Sequence, residues 1–198
     1  DIVARVLALH LTERLGASFV VDNRAGAGGN LGATLVAKSP PDGYTMLMIS
    51  LAWAFGPSMY KDLQFDHIKS FEFVSKIGNG PNVLSVHPSL PVKTAGDLIK
   101  LAKARPGELN FASAGVGSAV HLASELFRSM AKINVVHVPF KGGFPAMVDV
   151  MSGNSHYIIG TLVQALPHVR AGKLRALGVA PEKRLGAMPE LPTIHDTG

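Results

Sequence analysis

The chain has 198 residues, of which 47% are hydrophobic and 17% charged, with a mean hydropathy of +0.25; this suits one large globular unit or two small lobes and excludes a disordered chain. Nineteen Lys and Arg against fourteen Asp and Glu leave a formal charge of +5, but the basic residues stand singly and aromatics are only 7%, so acidic small molecules are favoured as partners and nucleic acid is not expected. With no cysteine there is no disulfide, thiolate nucleophile or cysteine metal site, and no apolar run approaches the roughly 18 residues of a spanning helix.

At the start, Ile2, Val3, Val6, Leu7, Leu11 and Leu15 run at helical period, predicting an amphipathic helix over 2–15. Because that period is already running at Asp1 and no leader-type basic and apolar region precedes it, a truncated chain is expected. Ser18–Val21 reads as a short strand, Asn23–Gly29 as a glycine-rich turn and Leu31–Lys38 as a helix. Pro40-Pro41-Asp42-Gly43 is turn chemistry, and the continuous apolar run Tyr44–Ile49 predicts a strand buried on both faces of a parallel sheet. An irregular stretch, 51–69, precedes strand candidates at 71–77 and 82–87.

After Pro88–Pro91 breaks the pattern, Thr94 is placed to cap a helix to about Ala104, with Asp97 at the positive end of its dipole. The spacing then predicts a strand at 110–113, a glycine turn at 115–117 and a helix from Ser118. Beyond it come a strand at 135–139, a helix at 145–151, a strand at 157–159, a helix at 162–170 and a strand at 175–180. This alternation is α/β, and the proline-rich point near 88–91 is the expected crossing between two such units.

Gly26, Gly28 and Gly29 before a helix invite a phosphate cradle, but Leu31 stands where a dinucleotide fingerprint needs glycine or alanine, and no P-loop ending occurs. Ser113-Ala114-Gly115-Val116-Gly117-Ser118 is more informative. Small residues at a strand end open a crevice where helix-start amides and two hydroxyls can hold an oxyanion; an ordinary tight turn with Ser118 as N-cap is equally consistent. The eight histidines, His121 included, show no i, i+4 pair and no carboxylate cluster, so no metal is expected. Ser118 and His121 could be imagined as nucleophile and base of a hydrolase, yet no Gly-x-Ser-x-Gly elbow is present. Trp53 and Phe55 could wall a ligand pocket, with core packing an equal contender, and Lys141 could meet an anion.

These segments together resemble the tripartite tricarboxylate transporter receptors, the Bug solute-binding family. The resemblance runs through Asp1–Arg5, Val21-Asp22-Asn23-Arg24-Ala25-Gly26-Ala27-Gly28-Gly29-Asn30-Leu31-Gly32, Ala37–Thr45, Asn110–Ser118 with His121-Leu122, Val138–Gly142, Leu166–Leu177 and Pro189–Thr193. It implies a type II periplasmic-binding-protein fold, two α/β lobes joined by crossover strands, with lobe 1 over 1–87, lobe 2 inserted over 88–176 and a return to lobe 1 over 177–198. It implies a periplasmic receptor of a Gram-negative bacterium, not an enzyme, that takes up a small mono-, di- or tricarboxylate by lobe closure and without a cofactor; Trp53 and Phe55 extend the expected ligands to aromatic acids.

The expected partners are that ligand and integral membrane transporter subunits, with the receptor a monomer; some relatives resemble sensors for a signalling partner instead. Residues 113–118 match the family's second-lobe loop. The candidate ligand-binding set is Ser113, Ala114, Gly115, Val116, Gly117, Ser118, His121, Thr161, Ala52 and Trp53. The first-lobe loop would precede Asp1, together with the signal peptide, and the family's C-terminal segment would follow Gly198. Gly160-Thr161 stands where many relatives resemble Asp-Asn, which suits an ammonium-bearing ligand; Gly160 removes that acceptor and implies a plain carboxylate.

Overall fold

The computed structural model describes residues 1–186 and 188–197, so Gly198, the last residue of the expected return segment, lies outside the described residues. The chain forms two compact units, Asp1–Glu72 and Phe73–Gly198.

The first unit is helical. Helix α1 (Ile2–Leu15) ends on Gly16, whose φ of 66° lets its amide close on the Thr12 carbonyl at 3.0 Å. A glycine turn with a short 3-10 segment, Ala27–Gly29, leads into α2 (Asn30–Ala37). A second 3-10 turn, Leu51–Phe55, runs into α3 (Gly56–Met59). The expected strands at 18–21, 44–49 and 71–77 do not form among the described residues. The apolar runs are there, but a strand also needs a neighbour to share its ladder, and no such pairing is made; Val20 and Tyr44 are instead almost fully exposed.

The second unit carries a five-stranded sheet made of β1 (Asn82–Val86), β2 (Asn110–Ser113), β3 (Val136–Pro139), β4 (Tyr157–Thr161) and β5 (Arg175–Val179). Its order is β3-β2-β4-β1-β5, with β2 parallel to β3 and β4 and with β1 antiparallel to β4 and β5. The sheet is therefore mixed rather than all parallel. The helices are α4 (Ala95–Ala104), α5 (Ala119–Ala131), α6 (Gly143–Met151), α7 (Leu162–Arg170) and the short α8 (Ile194–Thr197). None of the described helices is long and apolar enough to cross a membrane.

Period-2 alternation along the strands divides the core in two. Leu84, Val86, Phe111, Tyr157 and Ile159 face one side, where they pack with Leu98 of α4 and Phe127 of α5. Val83, Ala112 and Ile158 face the other, against Met147 and Val150 of α6 and Leu162 and Ala165 of α7. The compact units divide at 72/73, and β1 lies in the second unit, where it pairs with both β4 and β5.

Helix α4 begins as its sequence dictates. The Asp97 amide donates to Thr94 Oγ1 at 3.0 Å, and Asp97 Oδ2 accepts from the Thr94 and Lys93 amides at 3.1 and 3.0 Å, a complete capping box. Thr94→Ala is expected to cost about 1 kcal/mol, read as a lower denaturant midpoint at unchanged slope.

Candidate functional site

Strands β2, β3 and β4 run parallel side by side, and each is followed by a helix, α5, α6 and α7 respectively. Three helix N-termini therefore open at the same carboxyl edge of the sheet, where first-turn amides lack intrahelical acceptors and the dipoles present their positive ends. The edges touch one another. A Cβ on Gly143, in the first turn of α6, would lie 3.0 Å from Oε1 of Gln164 in the first turn of α7, and Thr161 Oγ1 donates to that same Oε1 at 3.2 Å. The carboxyl ends of parallel strands are where open α/β sheets take ligands.

The loop 113–118 joins β2 to α5 at this edge. Gly115 and Gly117 take φ of 110° and 76°, conformations that glycine adopts without the Cβ penalty. Ser113 is fully buried, and its Oγ accepts the Gly115 amide at 3.1 Å while sharing a 2.6 Å hydrogen bond with His137 Nε2. The Ser113 carbonyl takes the Phe140 amide at 2.9 Å, and Ser118 donates its own amide to the Gly115 carbonyl at 3.1 Å. Ser118 caps α5, its Oγ accepting the His121 amide at 3.2 Å.

Beneath the loop the His121 and His137 rings lie 4.3 Å apart, and His137 stacks on Phe111 at 4.8 Å. His121 Nδ1 accepts the Gly117 amide at 3.2 Å. Its Nε2 lies 3.9 Å from Glu125, which Arg128 holds at 2.7 Å. Burial pushes the His137 imidazole below the ordinary histidine range, and the neighbouring His121 adds to this.

The structure thus brings Ser113, Ala114, Gly115, Val116, Gly117, Ser118, His121 and Thr161 to one edge. The two hydroxyls of the loop are engaged in shaping it rather than standing open. Ala52 and Trp53 belong to the first unit. Ala52 is buried in the 3-10 turn, and Trp53 stacks on Phe65 at 5.4 Å, meets Phe71 edge-on at 5.1 Å and packs on His67 at 4.4 Å. Trp53 is in this way part of that unit's own small aromatic core.

Sequence reasoning missed His137, Gly143 and Gln164. His137 could have been flagged as the residue opposite Phe111 in a parallel pair, but only once the strand pairing is known. Nor does the geometry supply a hydrolase. The His121 ring engages Gly117 and faces Glu125, so it is not a base on Ser118; of the close serine–histidine side-chain pairs among the described residues, Ser113 with His137 has its serine fully buried and His87 with Ser89 lies outside the loop. No group of three or more potential metal ligands gathers among the described residues. A cavity of about 400 Å³ lined by Pro88, Val169, Arg175 and Leu191 lies away from the loop, and its Arg175 guanidinium is taken up by the Leu90 and Val92 carbonyls at 3.0 Å each.

Residues 3–198 match the model of the tripartite tricarboxylate transporter family receptor. The chain is 41% identical over 202 residues to protein BugT of Bordetella pertussis, covering 100% of this chain and 61% of that one. Among solved structures it is similar to Rhodopseudomonas palustris Rpa4515 with adipate (TM-score 0.91, 38% identity, 100% of this chain and 67% of that one). It is also similar to MatC of the same organism with bound malate (TM-score 0.92, 30% identity, 100% and 68%). The chain spans about three fifths of the length of the curated relatives it matches. The fold is that of the type II periplasmic binding proteins. Matched along nearly its whole length, with the α/β sheet and the strand-to-helix loop at 113–118 in place, the chain belongs to the tripartite tricarboxylate transporter receptor family.

Proposed function

We propose that the protein is a periplasmic receptor that captures a small organic carboxylate and passes it to integral membrane transporter subunits, binding without covalent chemistry. The observation that carries this reading is the similarity, along the whole of this chain, to two proteins solved with adipate and with malate. The loop 113–118 supports it, since its left-handed glycines shape a tight strand-to-helix turn at the start of α5, at an edge where two further helices begin. A carboxylate held there is met by neutral donors and dipoles, which suits a ligand that must later be released.

Capture is read as a population shift in which the bound acid favours the closed form of the family's two lobes, with the monomer as the acting species. Gly160 supports a plain acid over an amino acid. It is buried, and its absent side chain offers no carboxylate to an ammonium group. A Cβ there would make only ordinary 3.6 Å contacts with Ile158 and Met147, so steric need does not account for the glycine.

Isothermal titration with adipate, malate, an amino acid, its deaminated analogue and a neutral sugar tests the reading. Saturable binding of acids and not of the sugar, with the ligand recovered unchanged, is the expected result, and the deaminated analogue should bind more tightly than its amino acid. Binding of sugar alone, or turnover of a bound acid, would overturn it.

A further inference from the structure

The two neighbouring imidazoles under the loop 113–118, tilted by 31° to one another, hold it at both ends, and one of these holds depends on an unprotonated nitrogen. A backbone amide has only a proton to give, so His121 Nδ1, which takes the Gly117 amide at 3.2 Å, must present a lone pair. The neutral ring then carries its proton on Nε2, the side that faces Glu125. Any second proton has to enter at Nδ1, where it ejects the Gly117 amide. At the other end, His137 Nε2 is bonded to Ser113 Oγ, which in turn accepts the Gly115 amide.

We propose that His121 is a positioning residue whose neutral Nδ1 latches Gly117 and fixes the anion-binding shape of the loop, so that protonation of this ring unlatches the loop and releases the carboxylate. The inference rests on the reading of the loop as a carboxylate site.

The groups facing the pair set its direction of response. On α5 these are Glu125 and Arg128; on β3, His137; on β4, the Tyr157 hydroxyl, which is buried and has no hydrogen-bond partner. Rings 4.3 Å apart do not hold two charges together, and burial disfavours charge on His137. The bound state requires the neutral ring and therefore takes up fewer protons than the free state. Affinity is accordingly full above the histidine range and is lost as pH falls through it. A histidine acting simply as a cation for the ligand would give the opposite sign.

The experiment compares the wild type with His121→Asn, whose Oδ1 can accept near the place of Nδ1 and does not titrate. In the ligand-free protein, the Gly117 amide resonance of the wild type should move between pH 8 and pH 5 and stay flat in H121N, with His121 in the Nε2–H tautomer at pH 8. With adipate as the probe, H121N reports the ligand's own titration, and relative to it the wild type should weaken about tenfold from pH 8 to pH 5. Wild-type affinity that rises on acidification, a pH profile shared with H121N, or a Gly117 amide insensitive to pH would each overturn the proposal. If the wild type binds neither adipate nor malate at any pH, the receptor reading fails, and the Gly117 amide alone then decides whether the latch exists.

Discussion

Replacing Phe111 with alanine is expected to lower stability by about 3 to 5 kcal/mol, the range for truncating a large core aromatic into a cavity. Phe111 is fully buried in the centre of β2 and stacks on His137, with Tyr157 5.7 Å away on β4. Its loss opens the face of the sheet between β2 and α5 directly under the loop 113–118. Urea unfolding measures the change, and at roughly 2 to 4 °C per kcal/mol the thermal midpoint should fall by about 6 to 20 °C. A loss below about 1 kcal/mol would mean that this face is not the packed core described. The burial of His137 goes with the ring, so the variant's stability should also depend less on acid. A histidine held below its unfolded value favours the folded state fully above the unfolded pKa, and that contribution is lost as pH falls through the interval toward the folded one.

Gly115→Ala is expected to damage binding more than folding. At φ of 110° an L side chain is strained by about 1 to 3 kcal/mol, and the new Cβ would stand 3.1 Å from the Phe140 carbonyl oxygen, tighter than such contacts normally run. The loop can relieve this only by moving away from β3, which carries the Gly115 and Gly117 amides off their present lines. Carboxylate affinity should fall at least about tenfold, the equivalent of about 1.4 kcal/mol, while the thermal midpoint drops by only about 3 to 10 °C. Wild-type affinity in G115A would remove the loop from the site. The same substitution at Gly172, which also has positive φ but lies outside the loop with nothing near its Cβ, serves as the control for backbone strain alone.

The parts of the fold written in local chemistry were legible. The helix from Thr94 was readable because its cap and its first-turn acid are three residues apart, and β2 at 110–113 and α7 at 162–170 match their expected bounds. The helix-capping role of Ser118 was one of two readings left open, and the structure shows the cap in place. What failed was whatever depends on a distant partner. The apolar runs at 44–49 and 71–77 have the composition of strands, but hydrogen-bonded pairing is a property of two segments, and composition reports on one.

The same physics hides His137. Its bond to Ser113 exists because β3 lies parallel to β2 in one register, and a slip of one residue would turn the ring to the opposite face. Trp53 shows the converse, since the sequence allowed both a pocket wall and a core position. Its stacking on Phe65 and Phe71, twelve and eighteen residues on, uses the ring for packing within its own unit. Proline at 88 and 91 marks a break in the chain path, whereas the compact units follow the pairing of β1.

The most direct test of the central claim is thermal unfolding of this chain with and without small carboxylates. A ligand at 100 times its dissociation constant adds about 2.7 kcal/mol, or roughly 5 to 10 °C for a chain of this size. A shift of that size with adipate, malate or another small acid, and none with a neutral sugar of similar size, is the result expected of a carboxylate receptor. An unchanged midpoint across the acids, or an equal shift with the sugar, would contradict it.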